Sequence, residues 1–371
     1  MDLLNVIELS QPTGFWHTII FGMENALSNY AVALILITII INLVKVPLDF
    51  VNRYSTKKST RKQVEMQPEI EKINAKYGHD KNLLNQKTME VYKAHNFNIM
   101  GTCFGMVIYL AFTLIVFWSL FGALNSISAY KISDQFLQVR ESYYATYDID
   151  VNKDVENTET AEEGDYITPY AQLTKKLENM SDTEKADLLA LANENASKTY
   201  EESKTSFLWI ENIWLADTTT NPVMSYDDFI SKGSLDDTQI SQEEYDLIIS
   251  PVKDTARNNN GYFILVILAV GLNYLSIFLN EMISKRRAKK KGVDVSMTGK
   301  SNGKMMSIIM PIIMGIFTFF YNAAFGLYLI AGALIAVITS PLVTLFVDML
   351  EYEAIKKERE RLTPIYDRKR K

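Results

Sequence analysis

The chain of 371 residues has one cysteine, Cys103, so no internal disulfide can form. Its three histidines, His17, His79 and His95, are too dispersed to suggest a metal centre. No Walker motif, His–Cys cluster or glycine-rich phosphate loop occurs, so no catalytic constellation, cofactor or metal site is expected. The chain is therefore not read as an enzyme. The opening residues, MDLLNVIELS, lack a basic n-region and a cleavage site, which predicts no removable signal peptide. Positive charge is nearly missing from the apolar runs: of 38 Lys and Arg, only Lys45 lies inside one.

Long apolar runs are what the chain does have. A membrane span needs about 20 apolar residues. Five spans are read, near 30–48, 100–122, 260–282, 305–321 and 326–348, the last two joined through Tyr321-Asn322-Ala323-Ala324-Phe325-Gly326 as a tight hairpin. The expected fold class is an all-α membrane protein: a five-span bundle with a cytoplasmic helical hairpin and a mostly helical extracytoplasmic insertion. Its parts are an external N-terminal segment (1–28), a first span (29–50), a hairpin (51–97), a second span (98–124), an insertion (125–258), a third span (259–283), a basic loop (284–304), a pair of spans (305–349) and a basic tail (350–371).

Charge predicts the orientation. Segment 51–97 holds ten basic and five acidic residues, 284–304 eight and one, and the tail from 350 eight and five, whereas 126–258 holds eleven basic and twenty-seven acidic. The positive-inside rule puts the first three in the cytoplasm and leaves the acidic stretch outside. Five spans then give N-out and C-in across a bacterial plasma membrane. The pI of about 5.4 averages these two sides and describes neither.

Within the first span Thr38, Asn42, Lys45 and Asp49 are spaced to share one helical face. A charged group at membrane depth costs roughly 2.5–3.5 kcal/mol on insertion scales. The stripe therefore marks either a hydrated groove or, for Lys45, a stem that snorkels to the interface, and for Asn42 a helix–helix hydrogen bond. Tyr109 in the second span is either a client contact or a packing or interfacial-belt residue. In 51–97, two antiparallel helices are expected near 51–77 and 80–95, with Gly78 as the stop, Asp80 as N-cap and a partial stripe of Leu83, Leu84, Met89, Val91 and Tyr92. So weak a core predicts a mobile hairpin. In the insertion, Ser181-Asp182-Thr183-Glu184 and Ser241-Gln242-Glu243-Glu244 are capping-box patterns, while 147–166 is acidic and apolar-poor and reads as a loop.

Several short motifs share one order. Asn29-Tyr30, a span with Pro47-Leu48, then Gln67-Pro68-Glu69 are followed by Lys76-Tyr77, His95-Asn96-Phe97-Asn98 and Cys103. Phe207-Leu208-Trp209-Ile210, Lys304-Met305-Met306, Met310-Pro311 and Gly326-Leu327 follow in turn. This order resembles that of the YidC/Oxa/Alb family of membrane protein insertases, over about 29–122 and 205–349. The resemblance implies a five-helix bundle with a hydrophilic groove, open to the cytoplasm and sideways to lipid. It implies insertase or chaperone activity on newly made membrane proteins, with the ribosome and the general secretion channel as further partners. Thr38, Asn42, Lys45 and Tyr109 are then groove candidates. Lys356, Lys357, Arg359, Arg361, Arg368, Lys369, Arg370 and Lys371 are candidates for contact with ribosomal RNA or anionic lipid.

The chain departs from the family's pattern at three places. The family's first-span Arg is Asn42 here. Gly105, Tyr109 and Ala111 stand where prolines and a Gln are usual, and Ala324 stands for a proline. The alternative class is a small transporter or channel that uses the polar stripe as a solute path, which an internal repeat would favour. None is evident. A chaperone that folds clients without inserting them is a third reading.

Overall fold

The computed structural model describes residues 7–97, 99–153, 167–220, 223–256, 259–291 and 302–362, and their side chains except at 99–105, 287–291, 302–307 and 358–362. Among these residues the chain is helical, with only an isolated bridge between Phe207 and Ile210 in place of a sheet. The helices are α1 (Phe15–Leu27), α2 (Tyr30–Tyr77), α3 (Lys81–Ala94), α4 (Ile99–Ala145), α5 (Pro169–Glu178), α6 (Asp182–Ser203), α7 (Tyr226–Lys232), α8 (Gln242–Thr255), α9 (Ile264–Lys291), α10 (Asn302–Phe320) and α11 (Ala323–Leu362).

Four of them, α2, α4, α9 and α11, are long and apolar enough to cross a membrane, and Ile308–Phe320 of α10 is a shorter apolar helix. At 1.5 Å per residue, the 19 residues of α10 extend about 28 Å, close to a hydrocarbon core. Every long helix outruns its apolar run. α2 continues from its apolar half into the charged segment 51–77 without a break, through Pro47 and Pro68. Each proline lacks the N–H that would bond the carbonyl four residues earlier, so Leu43 and Val64 each lose one helical backbone donor while the helix runs on. α10 and α11 are joined by Tyr321 and Asn322 alone, and the Asn322 side chain accepts from Phe325 N at 2.9 Å.

The chain forms two compact units. The first comprises Met1–Leu34, Ser119–Ile267 and Ile316–Leu327. Its core is aromatic: Phe136, Phe229 and Tyr245 meet with ring centroids 4.8–5.2 Å apart. Beside them Arg140 and Glu244 form an ion pair at 2.8 Å, their side chains 3% and 6% exposed, and Tyr144 donates to the same carboxylate oxygen. Ser181 and Ser241 cap α6 and α8 by accepting from Glu184 N and Glu244 N. α1 lies along α4 in the same direction, with Trp16 donating to Ser119, His17 meeting Ser126 at 2.6 Å and Lys131 pairing with Glu24. Part of the expected loop 147–166, from 154 on, lies outside the described residues.

The second unit comprises Ile35–Trp118, Leu268–Gly315 and Tyr328–Lys371. Here α2 and α3 form a hairpin. A Cβ on Gly78 would meet Asn74 O at 2.6 Å, so the turn admits glycine alone. Asp80 caps α3 by accepting from Asn82 N and Leu83 N. The hairpin core is Met66, Val91 and Phe97, with Ile70, Ile73 and Tyr92 packed on it. Only Val91 and Tyr92 come from the stripe read in the sequence, and Met89 is exposed. The inward residues of the long helix escaped that reading because charged neighbours interrupt their periodicity.

Candidate functional site

The polar stripe of α2 divides in two. Thr38 is fully buried, and Asn42 spends its amide on the Thr38 carbonyl at 2.8 Å. Both pack on α11 at Gly332, where an added Cβ would lie 3.6 Å from Asn42 Nδ2 and 3.9 Å from Thr38 Cγ2. One turn on, Lys45 is half-buried and makes no ion pair among the described residues.

Beyond Lys45 the stripe enters a hydrogen-bonded cluster. Asp49 holds Arg53 through both carboxylate oxygens at 2.9 Å. The Arg53 guanidinium reaches across to α11, donating to Thr344 Oγ1 at 2.9 Å and Ser340 Oγ at 2.5 Å. From α9, Asn280 donates to Ser340 at 2.8 Å and accepts from Thr344 at 3.1 Å. Lys57, one further turn along α2, pairs with Asp348 and Glu351 of α11. Tyr109 of α4 lies within electrostatic reach of Asp49 and Arg53. Arg53, Asn280, Ser340, Thr344 and Asp348 were not among the residues singled out from the sequence. The signal available was the i,i+4 spacing of Asp49 and Arg53; the partners on α9 and α11 lie 227 or more positions away and carry no local signature.

A second constellation belongs to the first unit. Residues 207–217 form an ordered strap between α6 and α7. It begins with a tight turn in which Phe207 and Ile210 exchange backbone bonds at 3.0 Å, and Leu208 takes a positive φ of 56°. Asn212 and Asn260 then bond reciprocally: Asn260 Oδ1 accepts from Asn212 N at 2.8 Å, and Asn260 Nδ2 donates to Asn212 O at 3.0 Å. The buried Asp217 carboxylate accepts from Tyr262 N and Leu265 N at 2.8 and 2.7 Å, fixing the start of α9. A Cβ on Gly261 would fall 1.9 Å from that carboxylate, which leaves room for glycine only. Trp214 meets the Tyr30 ring at the start of α2, with centroids 4.7 Å apart. Leu215 and Ile213 carbonyls accept from Ala323 N and Ala324 N at the start of α11. The strap thus ties the first turns of three long helices. Ala324 uses here the N–H that a proline lacks.

Of the basic tail, Lys356 and Lys357 are on α11 and exposed. The side chains of Arg359 and Arg361, and all of Arg368, Lys369, Arg370 and Lys371, lie outside the described residues.

Long apolar helices carrying polar clusters between them define a polytopic helical membrane protein. The family model described as 60Kd inner membrane protein matches residues 22–348, and the chain belongs to that family. It is 36% identical over 103 residues to a protein of Fusobacterium nucleatum named membrane protein insertase YidC, a match covering 28% of this chain and 46% of that one. Proteins of the same name from Anaeromyxobacter dehalogenans and Methylobacillus flagellatus are 32% and 30% identical over 120 and 131 residues, covering 32% and 35% of this chain. Those matches span 20% and 23% of the two relatives, so in each case the shared part is under half of the relative's length. No solved structure matches the chain.

Proposed function

We propose that this protein is a membrane protein insertase. It moves short hydrophilic tails of newly made clients through a polar groove within the bilayer and releases their apolar segments sideways into lipid. The work is not enzymatic: no bond is made or broken. The observation that carries the reading is the polar face of α2, where Lys45, with no ion pair among the described residues, adjoins the Asp49–Arg53 pair bonded to α11 and through it to Asn280 of α9. Polar groups at that depth shorten the apolar path of a hydrophilic tail. A cation there attracts acidic tails, more strongly where the local dielectric is low. The client's apolar segment then leaves because burial in lipid yields about 25 cal/mol per Å2 of apolar surface.

In this reading the protein spans a bacterial plasma membrane five times, N-out and C-in. The basic residues from Lys356 to Lys371 then face ribosomal RNA or anionic lipid. Anionic lipid attracts each such residue with about 1 kcal/mol. The secretion channel is a further proposed partner.

Depletion in the cell tests the function. Small one- and two-span proteins with acidic exported tails are expected to remain protease-accessible on the cytoplasmic side, and re-expression of the chain is expected to restore them. Normal insertion after depletion, together with loss of a solute flux, would replace this reading with a transporter.

A further inference from the structure

The first unit contains a cavity of about 780 Å3 that none of the preceding argument uses. It opens between the turn of α4 at Gly122–Ala129, the strap residues from Trp214, the end of α7 and the end of α10. Its size falls in the range of ligand sites, roughly 300–1,000 Å3.

Its walls differ chemically. One is Phe319 and Phe320, the last residues of the apolar helix α10, with Phe320 72% exposed. Such exposure at the end of an apolar helix suits contact with acyl chains. The other carries Asp228 and Lys232, which pair at 2.6 Å, with Ser231 beside them. These two are the only charged residues among the described residues lining the cavity, so the lining is dipolar and its net charge is zero. Lys232 holds the Asp228 carboxyl below its ordinary range, so the carboxylate stays ionised at neutral pH. An occupant that satisfies both walls is amphipathic, with a small headgroup bearing one charge of each sign.

We propose that this cavity binds a zwitterionic phospholipid bearing a primary ammonium, its phosphate at Lys232, its ammonium at Asp228 and its acyl chains leaving past Phe319 and Phe320. An anionic headgroup also satisfies Lys232, but it sets no cation against Asp228. The lipid belongs to the outer leaflet, which rests on the outward placement of 126–258 proposed above. A bound lipid would wedge the end of α7 against the end of α10 and couple the insertion to the bilayer.

Photo-crosslinking of the full chain tests this. The chain is placed in bilayers of equal parts phosphatidylethanolamine and phosphatidylglycerol, with a trace of either lipid carrying the same diazirine acyl chain. The ethanolamine probe is expected to label peptides containing 122–132 and 319–322 about tenfold more than the glycerol probe, a difference of about 1.4 kcal/mol. Gly122 lines the cavity with open space where a Cβ would stand, so Gly122→Trp sets an indole at its wall without a backbone clash and narrows it. Labelling is expected to fall in Gly122→Trp, to persist in Gly122→Ala and to lose its headgroup preference in Asp228→Asn. Equal labelling by both probes, or full labelling of Gly122→Trp, would overturn the proposal. A photoreactive residue at Ser231 that captures a polypeptide instead of lipid would also overturn it. Thiol labelling of Thr160→Cys reports orientation separately, so a failed lipid site and a failed topology give different results.

Discussion

At the scale of single residues, Lys45 and Arg53 separate two roles that a list of basic residues merges. Lys45 makes no ion pair among the described residues, while Arg53, held by Asp49, bridges α2 to α11 through Ser340 and Thr344. Lys45→Ala is expected to cut insertion of clients with acidic tails about tenfold, equivalent to about 1.4 kcal/mol, while neutral-tailed clients and thermal stability stay unchanged. Arg53→Ala removes charge-assisted bonds worth about 1.5–3 kcal/mol each before allowance for its partial exposure, so it should lower the melting temperature in detergent and depress every client alike. Client-independent loss in Lys45→Ala would put the lysine in the packing instead. His17 offers a second test. Burial lowers its pKa below the ordinary value of 6.5, and its ring meets Ser126 at 2.6 Å. A folded value below the unfolded one favours the neutral ring, so this contribution is full above about pH 6.5 and is lost as pH falls through the folded value. The protection of amides in 15–27 against hydrogen exchange, taken relative to the intrinsic rate at each pH, should therefore fall between pH 7.5 and 5 in the native chain, and His17→Gln should flatten that dependence.

At the scale of elements, what was legible in the sequence was local. Asp80, Ser181 and Ser241 announce helix starts because a cap needs only the next three residues. The helical class follows from the apolar runs for the same reason. Of the strap 207–217 only Phe207-Leu208-Trp209-Ile210 reads as a motif, because the strap's bonds run to Asn260, Tyr262 and Ala323, whose positions no local pattern announces. Likewise Thr38 and Asn42 were readable as one face with Lys45, but not that this face meets Gly332 first and polar partners only beyond Lys45. The buried pair Arg140–Glu244 is the sharpest case. Glu244 reads in the sequence only as the last residue of a capping box, yet it is 5% exposed and meets an arginine 104 positions away. Glu244→Ala leaves Arg140 buried without its counter-ion, which typically costs about 3–5 kcal/mol. Limited proteolysis should then cut α5–α8 first. The double variant Arg140→Met, Glu244→Leu should recover much of the loss, and failure to recover would assign the cost to packing rather than to the lone charge.

At the scale of the whole molecule, charge is sorted along the chain rather than balanced within it. The excess of basic residues in 51–97, 284–304 and 350–371, against twenty-seven acids in 126–258, is what a bilayer imposes on a protein held in one orientation. A long acidic segment contributes little to that orientation, since long loops are translocated largely regardless of charge; the short basic loop 284–304 and the segment after the first span carry the argument. The helix lengths alone leave it open, because four helices satisfy the length and apolarity of a span and α10 is shorter. With four crossings the N-terminus and the tail share a side; with five they are opposed. Cys103 is the only thiol, so a Cys103→Ser background gives a chain in which single introduced cysteines report their own side. With a membrane-impermeant maleimide on intact cells, Thr160→Cys should label at once, whereas Thr60→Cys, Lys290→Cys and Ile365→Cys should label only after permeabilisation. Outside labelling at 290 would remove the five-span arrangement. Outside labelling at 365 alone would mean that α10 and α11 cross once together, and the tail would then lose both the ribosome and the cytoplasmic leaflet as partners.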